Sequence, residues 1–301
     1  MTTIFVGVDV GGTKTSAAVG SATEVLSRAS GVGAAVRPGR ALASAQTIAE
    51  VARKALAASG ALTARAMVVG AAGAGRTAER EELQRALAAE KIADLVQVTT
   101  DIELALVAAF GTEPGIVLSA GTGSIALGRD AKGATHRAGG YGWQMGDEGS
   151  GYGIGRAALG AVSRAHDRRG PATKLTLRVM AAAKARSFDD LINWATLATP
   201  ADVASLAPGV MEMSAHGDAV AQGIVEYAVR ELVLLATALA PLIGKTVVPV
   251  ALSGGILGEE GLLRAAVTSK LKETPVLSVR AEPVEGALGA LAMARMLGAE
   301  G

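Results

Sequence analysis

A strand, a glycine-rich turn and a returning strand occur twice in this sequence, and this repeat limits the possible folds more than any other feature. The first copy covers residues 4 to 19, with its turn at Gly11-Gly12-Thr13. The second copy covers residues 115 to 129, with its turn at Gly121-Thr122-Gly123-Ser124. In each copy an apolar run precedes the turn and another follows it, which is typical of a β-hairpin. The repeat predicts a duplicated architecture with two lobes.

The best boundary between the lobes is Glu113-Pro114-Gly115, after which the chain begins again. The sequence therefore predicts a first lobe over residues 1–114 and a second lobe over residues 115–301. Strands alternate with helices on both sides of this boundary, which is the pattern of an α/β fold, and we expect a cleft between the lobes. A closing helix is predicted over residues 284–297, and it could pack back on the first lobe.

Charge and composition exclude several classes of function. The 29 Lys and Arg balance 28 Asp and Glu, so neither nucleic acid nor a membrane surface is expected as a partner. The longest apolar run, Leu232 to Ile243, is interrupted by Thr237 and Pro241 and is predicted to be a buried helix. The N-terminus runs into the first strand without a basic segment or a cleavage site, so we expect a cytoplasmic location.

The two turns and one carboxylate form a candidate nucleotide site. Backbone N–H groups at the tip of a glycine-rich turn hold phosphate, so both turns are predicted to bind the phosphates of ATP. The candidate residues are Gly11, Gly12, Thr13, Lys14, Gly121, Thr122, Gly123 and Ser124. Asp9 ends the first strand, where its carboxylate could hold Mg²⁺ through water, because magnesium prefers hard oxygen ligands and keeps part of its water shell. The alternatives are an ordinary hairpin with a solvated Asp9, and a solvated strand position for Lys14.

The stretch Ser253-Gly254-Gly255 directly follows a predicted strand over residues 247–252 and is predicted to open a helix. Without side chains, Gly254 and Gly255 would let an adenine lie against the backbone. A helix N-terminus at this position would also favour phosphate. An ordinary turn between a strand and a helix is the alternative for this stretch taken alone.

Asp101 and the pair Asp147 and Glu148 are candidates for contacting the substrate. Asp101 follows a predicted strand over residues 95–99, at the carboxyl end where open α/β sheets bind ligands. Its alternative role is a helix N-cap together with Thr100. Asp147 and Glu148 lie in the glycine-rich stretch 139–151, where a turn-forming Asp is the alternative.

Together these motifs resemble the N-acetylglucosamine kinases of the BadF/BadG/BcrA/BcrD-type ATPase family. The resemblance runs in order along nearly the whole chain, through Asp9–Thr15, Thr100-Asp101, Ala120–Ser124, Gly139–Ser150, Ser253–Gly255 and Glu285–Ala290. It implies the duplicated actin-like, ribonuclease H-like ATPase fold, which agrees with the repeated hairpin. It also implies a homodimer and an enzyme that uses ATP and Mg²⁺ to phosphorylate a small amino sugar, N-acetylglucosamine first, at its 6-hydroxyl.

The resemblance implies a role for each substrate-side candidate. Asp101 would contact the sugar and act as the general base on its 6-hydroxyl. Asp147 and Glu148 would bind sugar hydroxyls, and Gly140-Tyr141-Gly142 would line the pocket for the N-acetyl group. Phosphoryl transfer requires mainly positioning and charge neutralisation, so a base, Mg²⁺ and backbone amides form a sufficient set.

Two departures from the family pattern bear on the substrate. The loop over residues 31–38 lacks the Asn that usually contacts the sugar, and Tyr141 stands where the mammalian members have Trp. Glucosamine and N-acetylmuramate therefore remain alternative substrates. A non-catalytic actin-like ATPase or a sugar sensor is the alternative of a different class. The related activators of 2-hydroxyacyl-CoA dehydratases need cysteines for an iron–sulfur cluster, and this sequence has none.

Overall fold

The computed structural model describes residues 2–299, and the chain divides into two compact units. The first unit ends at Glu113 and resumes at Val284, and the second covers Pro114–Pro283. Each unit contains one five-stranded sheet with helices packed on it. The predicted α/β architecture with a duplicated plan is therefore confirmed.

Residues 2–299 form ten strands and eleven helices. The strands are β1 (Phe5–Val10), β2 (Lys14–Gly20), β3 (Val25–Val32), β4 (Ala64–Ala71), β5 (Ala93–Thr99), β6 (Gly115–Ala120), β7 (Ser124–Arg129), β8 (Thr135–Gly139), β9 (Val248–Ser253) and β10 (Leu277–Val279). The helices are α1 (Ala41–Ala58), α2 (Thr77–Ala89), α3 (Asp101–Phe110), α4 (Gly151–His166), α5 (Leu175–Ala182), α6 (Phe188–Leu197), α7 (Pro200–Ala204), α8 (Ala207–Ala215), α9 (Ala219–Ile243), α10 (Arg264–Lys272) and α11 (Gly286–Ala299).

The sheet of the first unit has the strand order β3-β2-β1-β4-β5. Strands β1 and β2 pair antiparallel across the first turn, while β4 and β5 continue the sheet in parallel with β1. Successive side chains of a strand face opposite sides of the sheet. Val6 and Val8 accordingly pack in the core formed with α1, whereas Phe5 packs in the core formed with α3 and α11.

The closing helix α11 rests directly on the first sheet. Gly7 of β1 has no side chain, and a Cβ there would overlap the backbone nitrogen of Leu291. A Cβ at Gly289 would likewise overlap the carbonyl oxygen of Leu104 in α3. These two glycines let the helix backbone approach β1 and α3 closely.

The sheet of the second unit has the order β10-β9-β6-β7-β8 and repeats the plan of the first. The antiparallel run of β6, β7 and β8 corresponds to β1, β2 and β3, and the parallel pair β6 and β9 corresponds to β1 and β4. Its core joins Ile116 and Leu118 of β6 with Ile154 of α4 and Leu232 of α9, all fully buried. Helices α4 to α9 form one long helical insertion between β8 and β9.

Two local predictions differ from the structure. The sequence did not predict β8, a short polar strand that pairs with β7 through Gly128 and His136. Helical spacing of apolar residues predicts that Leu42, with Ile48, Ala52 and Leu56, lies on the buried face of α1, but the Leu42 side chain is 63% exposed, and Ala41 and Ala45 are buried instead. Among the helices of residues 2–299, none has both the length and the apolar character that crossing a membrane requires.

Candidate active site

The turn of the first unit presents free backbone donors. Its base is closed by a hydrogen bond from the N–H of Gly11 to the carbonyl of Lys14, at 2.9 Å. Gly12 and Thr13 at the tip are exposed, and within residues 2–299 their N–H groups form no hydrogen bond. The loop 31–38 runs against this tip, because a Cβ on Gly33 would overlap the Gly12 carbonyl. The geometry leaves two adjacent amide donors for an anion.

Asp9 lies at the carboxyl end of β1, beside this turn, and is half-buried. Desolvation raises the pKa of its carboxyl to about 6, and the nearby negative charge of Asp101 adds to the increase, while Lys14 opposes it. Gly286, at the start of α11, packs directly on this carboxylate, since a Cβ there would overlap Asp9 Oδ2. The absence of a side chain at Gly286 thus leaves the space that Asp9 occupies.

Asp101 is the first residue of α3, and the helix is capped without it. The N-cap is Thr100, whose hydroxyl accepts the N–H of Glu103 at 3.4 Å, and the Glu103 carboxylate accepts the N–H of Thr100 at 3.0 Å. The suggestion that Asp101 serves as the cap is therefore wrong. Its side chain accepts the N–H of Ile102 at 3.0 Å.

The Asp101 side chain is exposed at the molecular surface, but many protein atoms lie near its carboxylate and reduce its hydration. This desolvation raises the pKa of Asp101, the hydrogen bond from Ile102 lowers it, and the charge of Glu103 raises it. Glu103 behaves differently, because hydrogen bonds from Thr99 and Thr100 outweigh its own burial and lower its pKa. Asp101 is thus a reachable carboxylate whose affinity for a proton is increased.

The carboxylates of the first unit fit a divalent cation. The negative charge of Asp101 contributes to the raised pKa of Asp9, so the two carboxylates lie close enough to interact. Among residues 2–299 no group of three or more Asp, Glu, His or Cys side chains converges on one point. A cation there would therefore bind through one or two carboxylates and retain water, which is how Mg²⁺ binds.

The turn of the second unit, Gly121–Ser124, is held by the first two residues of α4. The N–H of Gly151 donates to the carbonyl of Gly121 at 2.8 Å, and the N–H of Tyr152 donates to that of Thr122 at 3.2 Å. The N–H groups of Thr122 and Gly123 form no hydrogen bond within the described part of the chain. This turn therefore also offers two adjacent amide donors, as the first turn does.

Asp147 lies directly against this second turn. Its Oδ1 accepts the N–H of Ser124 at 3.1 Å, and a Cβ on Gly123 would come within 2.8 Å of the same oxygen. Its backbone is left-handed, with φ of 65°, and its carbonyl accepts the Ser150 hydroxyl at 2.5 Å. Desolvation raises the pKa of Asp147, the Ser124 N–H lowers it and the charge of Glu148 raises it. The backbone therefore forms a turn at Asp147, and the side chain also accepts a hydrogen bond from Ser124, which is distant in sequence.

The other predicted sugar residues gather around the buried Ser124. Its hydroxyl donates to the carbonyl of Glu148 at 2.8 Å, and its carbonyl accepts the N–H of Gly140 at 3.0 Å. The side chain of Glu148 is exposed, and the Tyr141 ring is 56% exposed with the Arg137 guanidinium 4.8 Å from its centre. Ser124 was predicted only as a phosphate residue, and no signal in the sequence indicated that it also anchors the glycine-rich stretch.

The predicted helix at Ser253-Gly254-Gly255 is wrong. Helix α10 begins at Arg264, and residues 254–263 form successive turns, such as the one closed by the N–H of Leu257 on the carbonyl of Gly254 at 3.2 Å. Gly254 has φ of 86° and packs on Ala120, whose carbonyl accepts the N–H of Ile256 at 2.8 Å. Gly254 and Gly255 therefore lie beside the second turn, without a helix N-terminus to favour phosphate.

The structure thus brings the predicted residues together in two groups, one in each unit. The first unit gathers Asp9, Asp101 and the turn from Gly11 to Lys14. The second unit gathers the turn from Gly121 to Ser124 with Gly140, Asp147, Glu148, Gly254 and Gly255. Gly286 has a positional role that sequence reasoning did not assign, although it lies in the closing motif of the resemblance.

Comparison with known proteins places the chain in a family. The sequence pattern of the BadF/BadG/BcrA/BcrD ATPase family matches residues 6–294. The N-acetylmuramic acid/N-acetylglucosamine kinase of Clostridium acetobutylicum is 36% identical over 171 residues, which is 56% of this chain and 56% of that relative. The alignment therefore spans little more than half the length of this curated relative.

Solved structures extend the comparison to the whole fold. A Chromobacterium violaceum protein, provisionally assigned as an N-acetylglucosamine kinase, has a TM-score of 0.81 and 28% identity, covering 96% of this chain and 98% of its own. The ROK hexokinase of Thermus thermophilus has a TM-score of 0.58 at 20% identity, covering 98% and 99%, and shows likeness of fold alone. Because the family pattern matches nearly the entire sequence, the chain belongs to the BadF/BadG/BcrA/BcrD ATPase family.

Proposed function

We propose that this protein is an ATP-dependent kinase that phosphorylates an amino sugar, N-acetylglucosamine first, at the 6-hydroxyl. The observation that carries the proposal is the state of Asp101, an exposed carboxylate at the carboxyl end of β5 that takes no part in capping α3. Its raised pKa makes it a better proton acceptor than an ordinary aspartate carboxylate. The relatives in Clostridium acetobutylicum and Chromobacterium violaceum support the choice of an amino sugar.

Asp101 acts as the general base in the proposed reaction. The sugar hydroxyl oxygen forms a bond to the γ-phosphorus of ATP while the bond from that phosphorus to the bridging oxygen of ADP breaks. The hydroxyl proton passes to the Asp101 carboxylate. Phosphoryl transfer depends mainly on positioning and on neutralising phosphate charge, so a modest base is sufficient.

The remaining residues bind and orient the nucleotide. In the first unit, the free N–H groups of Gly12 and Thr13 donate to phosphate oxygens, and Lys14 adds positive charge. In the second unit, the free N–H groups of Thr122 and Gly123 donate to phosphate oxygens in the same way, and Gly121 and Ser124 shape this turn. Gly254 and Gly255 have no side chains, so the adenine can lie against their backbone. Mg²⁺ would be held by Asp9 and would neutralise phosphate charge when bound.

The sugar is bound by the glycine-rich stretch of the second unit. Asp147 accepts hydrogen bonds from sugar hydroxyl groups, and the Ser124 N–H fixes the orientation of its carboxylate. Glu148 offers a second carboxylate acceptor. Gly140-Tyr141-Gly142 line the pocket for the N-acetyl group. The loop 31–38 supplies no Asn side chain, so glucosamine and N-acetylmuramate are the alternative substrates. We also propose a homodimer, on the family resemblance alone.

A coupled assay of ADP release tests the proposed function. The panel contains N-acetylglucosamine, glucosamine, N-acetylmuramate, N-acetylmannosamine and glucose, each with ATP and Mg²⁺. We expect ADP release to depend on an amino sugar and to be greatest with N-acetylglucosamine. ADP release of equal rate with and without sugar would overturn the proposal and favour a non-catalytic actin-like ATPase.

A further inference from the structure

A cavity of about 650 Å³ lies wholly within the second unit, beside the glycine-rich stretch. The segment before α4, one face of α4 and Tyr227 of α9 form its walls. The lining residues that carry the argument are Trp143, Glu148, Tyr152, Arg156 and Tyr227. A cavity of this size, with aromatic walls and a few polar groups, is typical of a small-molecule site.

Two aromatic side chains give the cavity an apolar wall. The rings of Trp143 and Tyr152 are 5.5 Å apart at an angle of 57°. Trp143 is 45% exposed, although tryptophan is usually well covered in a folded protein. The exposed part of this ring offers contact area for the carbon atoms of a ligand.

The lining of the cavity includes two charged side chains, those of Arg156 and Glu148. Arg156 and Glu148 are both exposed, and within residues 2–299 neither side chain forms a hydrogen bond or an ion pair. They line one cavity without pairing with each other. The cavity therefore holds an unused cationic donor and an unused anionic acceptor at separate points.

The two charges are separated along α4. Glu148 precedes the helix, whose first residue is Gly151, and Arg156 is five residues further along it. A rise of about 1.5 Å per residue moves Arg156 roughly 8 Å from the start of the helix. A ligand that contacts both charges must therefore reach well beyond a single hydroxyl group.

We propose that this cavity binds a carboxylate-bearing arm on the amino sugar, with Arg156 as the specificity-determining residue. The inference rests on the proposed function, in which Asp147 and its neighbour Glu148 hold sugar hydroxyls. A substituent of that sugar can enter the cavity at Glu148, place its carbon atoms on Trp143 and pair its carboxylate with Arg156. The guanidinium is suited to a carboxylate, which it binds through two parallel hydrogen bonds.

A neutral occupant fits this chemistry less well. A second uncharged sugar ring could stack on Trp143 and Tyr152, but it would leave the Arg156 charge unpaired. In the proposed arrangement the sugar lies at Glu148, whose negative charge would repel a carboxylate. The arm must therefore be long enough to carry its carboxylate away from Glu148 and toward Arg156. The substrate class is therefore an amino sugar that carries a short carboxyalkyl ether.

Steady-state kinetics with N-acetylmuramate and N-acetylglucosamine test this inference. In Arg156→Met, which keeps the apolar stem, we expect the KM for N-acetylmuramate to rise about tenfold, with the KM for N-acetylglucosamine within twofold of wild type. Arg156→Lys should recover part of the loss. Arg164→Met is the matched control, because Arg164 is exposed on the same helix outside the cavity lining. It should leave both values unchanged.

The possible outcomes separate this inference from the proposed function. Two outcomes would overturn the proposed role of the cavity but leave the proposed function intact. They are phosphorylation of N-acetylglucosamine without phosphorylation of N-acetylmuramate, and an equal effect of Arg156→Met on the KM values for both sugars. Absence of phosphorylation of every amino sugar would overturn the proposed function itself. A neutral disaccharide whose KM is lower than that of N-acetylmuramate would point to a second sugar ring instead.

One measurement needs no variant and keeps the test valid if Arg156→Met does not fold. Salt screens the attraction between an exposed guanidinium and a carboxylate. For the wild-type protein, the KM for N-acetylmuramate should therefore increase more between 0.05 and 0.5 M NaCl than the KM for N-acetylglucosamine. Equal salt dependence of the two values would contradict the role of Arg156.

Discussion

The Asp147 carboxylate accepts a hydrogen bond from the Ser124 backbone N–H at 3.1 Å, so a residue predicted to bind sugar is fixed on a turn predicted to bind phosphate. The same turn carries the free N–H groups of Thr122 and Gly123. A change in the position of Asp147 must therefore disturb the turn as well. This coupling gives Asp147 variants two separable effects, one on sugar binding and one on stability.

Asp147→Asn and Asp147→Ala should differ in stability but not in their effect on the sugar. Asn keeps an oxygen that can accept the Ser124 N–H, and it tolerates the left-handed backbone at this position. Ala loses the hydrogen bond and is strained there, so unfolding with urea should show about 2 kcal/mol lower stability. Both variants should raise the KM for the sugar at least tenfold.

The matched control for this pair is Asp189→Asn, an exposed carboxylate in the first turn of α6. It should change neither stability nor KM. An unchanged KM in Asp147→Asn would show that Asp147 supports the turn only and does not contact the sugar.

Asp9 should make stability depend on pH. Its pKa is raised from 3.8 to about 6, so the folded protein binds more protons than the unfolded chain between these values. Its contribution to stability therefore falls as pH rises through this window. Without Mg²⁺, wild type should lose about 2 kcal/mol relative to Asp9→Asn between pH 4 and pH 8, as measured by urea unfolding.

Magnesium provides the complementary measurement at pH 8. Mg²⁺ should stabilise the wild-type protein and have little effect on Asp9→Asn, because a ligand that binds only the folded state adds to its stability. A constant difference between the two proteins at all pH values, with equal responses to Mg²⁺, would contradict the assigned environment of Asp9.

Gly286→Ala should displace the Asp9 carboxylate, because the added Cβ would occupy its place. We expect the Mg²⁺ concentration needed for half-maximal turnover to rise severalfold, since Asp9 is the proposed magnesium ligand. Gly223→Ala in α9 is the control, because nothing lies within 4 Å of the added methyl group. This control should be unchanged or slightly more stable. Equal magnesium dependence in Gly286→Ala and wild type would exclude the predicted displacement.

Thr100→Ala should separate helix capping from catalysis. Thr100 caps α3, so its loss should lower stability by about 1 kcal/mol, measured by thermal or urea unfolding. Turnover should fall far less than in Asp101→Asn, because the carboxylate of Asp101 is retained. If Asp101→Asn lowered stability as Thr100→Ala does but left turnover intact, Asp101 would be a structural residue after all.

The repeated hairpin could be predicted because its signal is local. Apolar runs that end in Gly11-Gly12-Thr13 and in Gly121–Ser124 define both the strands and the turn, and the register of β1 on β2 follows from the tight turn between them. The duplicated sheet order then follows, since each hairpin is extended by parallel strands. Asp9 and Asp101 could be identified because each lies at or just after the end of a predicted strand.

Other features depend on contacts that no local pattern reveals. Strand β8 is short and polar, and it pairs with β7 at the edge of the second sheet. The stretch after β9 was predicted as a helix because it follows a strand, but Gly258 and Gly261 favour turns instead and delay α10 to Arg264. Glu148 and Arg156 are close in sequence, but Tyr227 of α9, which is distant in sequence, completes the cavity that they line, so the cavity could be recognised only in the folded chain.

The central claim is that Asp101 is the general base of an amino-sugar kinase, and turnover of Asp101→Asn tests it most directly. The measurement is the steady-state rate of ADP release with ATP, Mg²⁺ and saturating N-acetylglucosamine, with ATP affinity determined in parallel. Asp94→Asn, an exposed carboxylate at the other end of β5, is the control and should behave as wild type. We predict that Asp101→Asn lowers turnover roughly a hundredfold or more while ATP affinity stays within twofold. Wild-type turnover in Asp101→Asn would contradict the account.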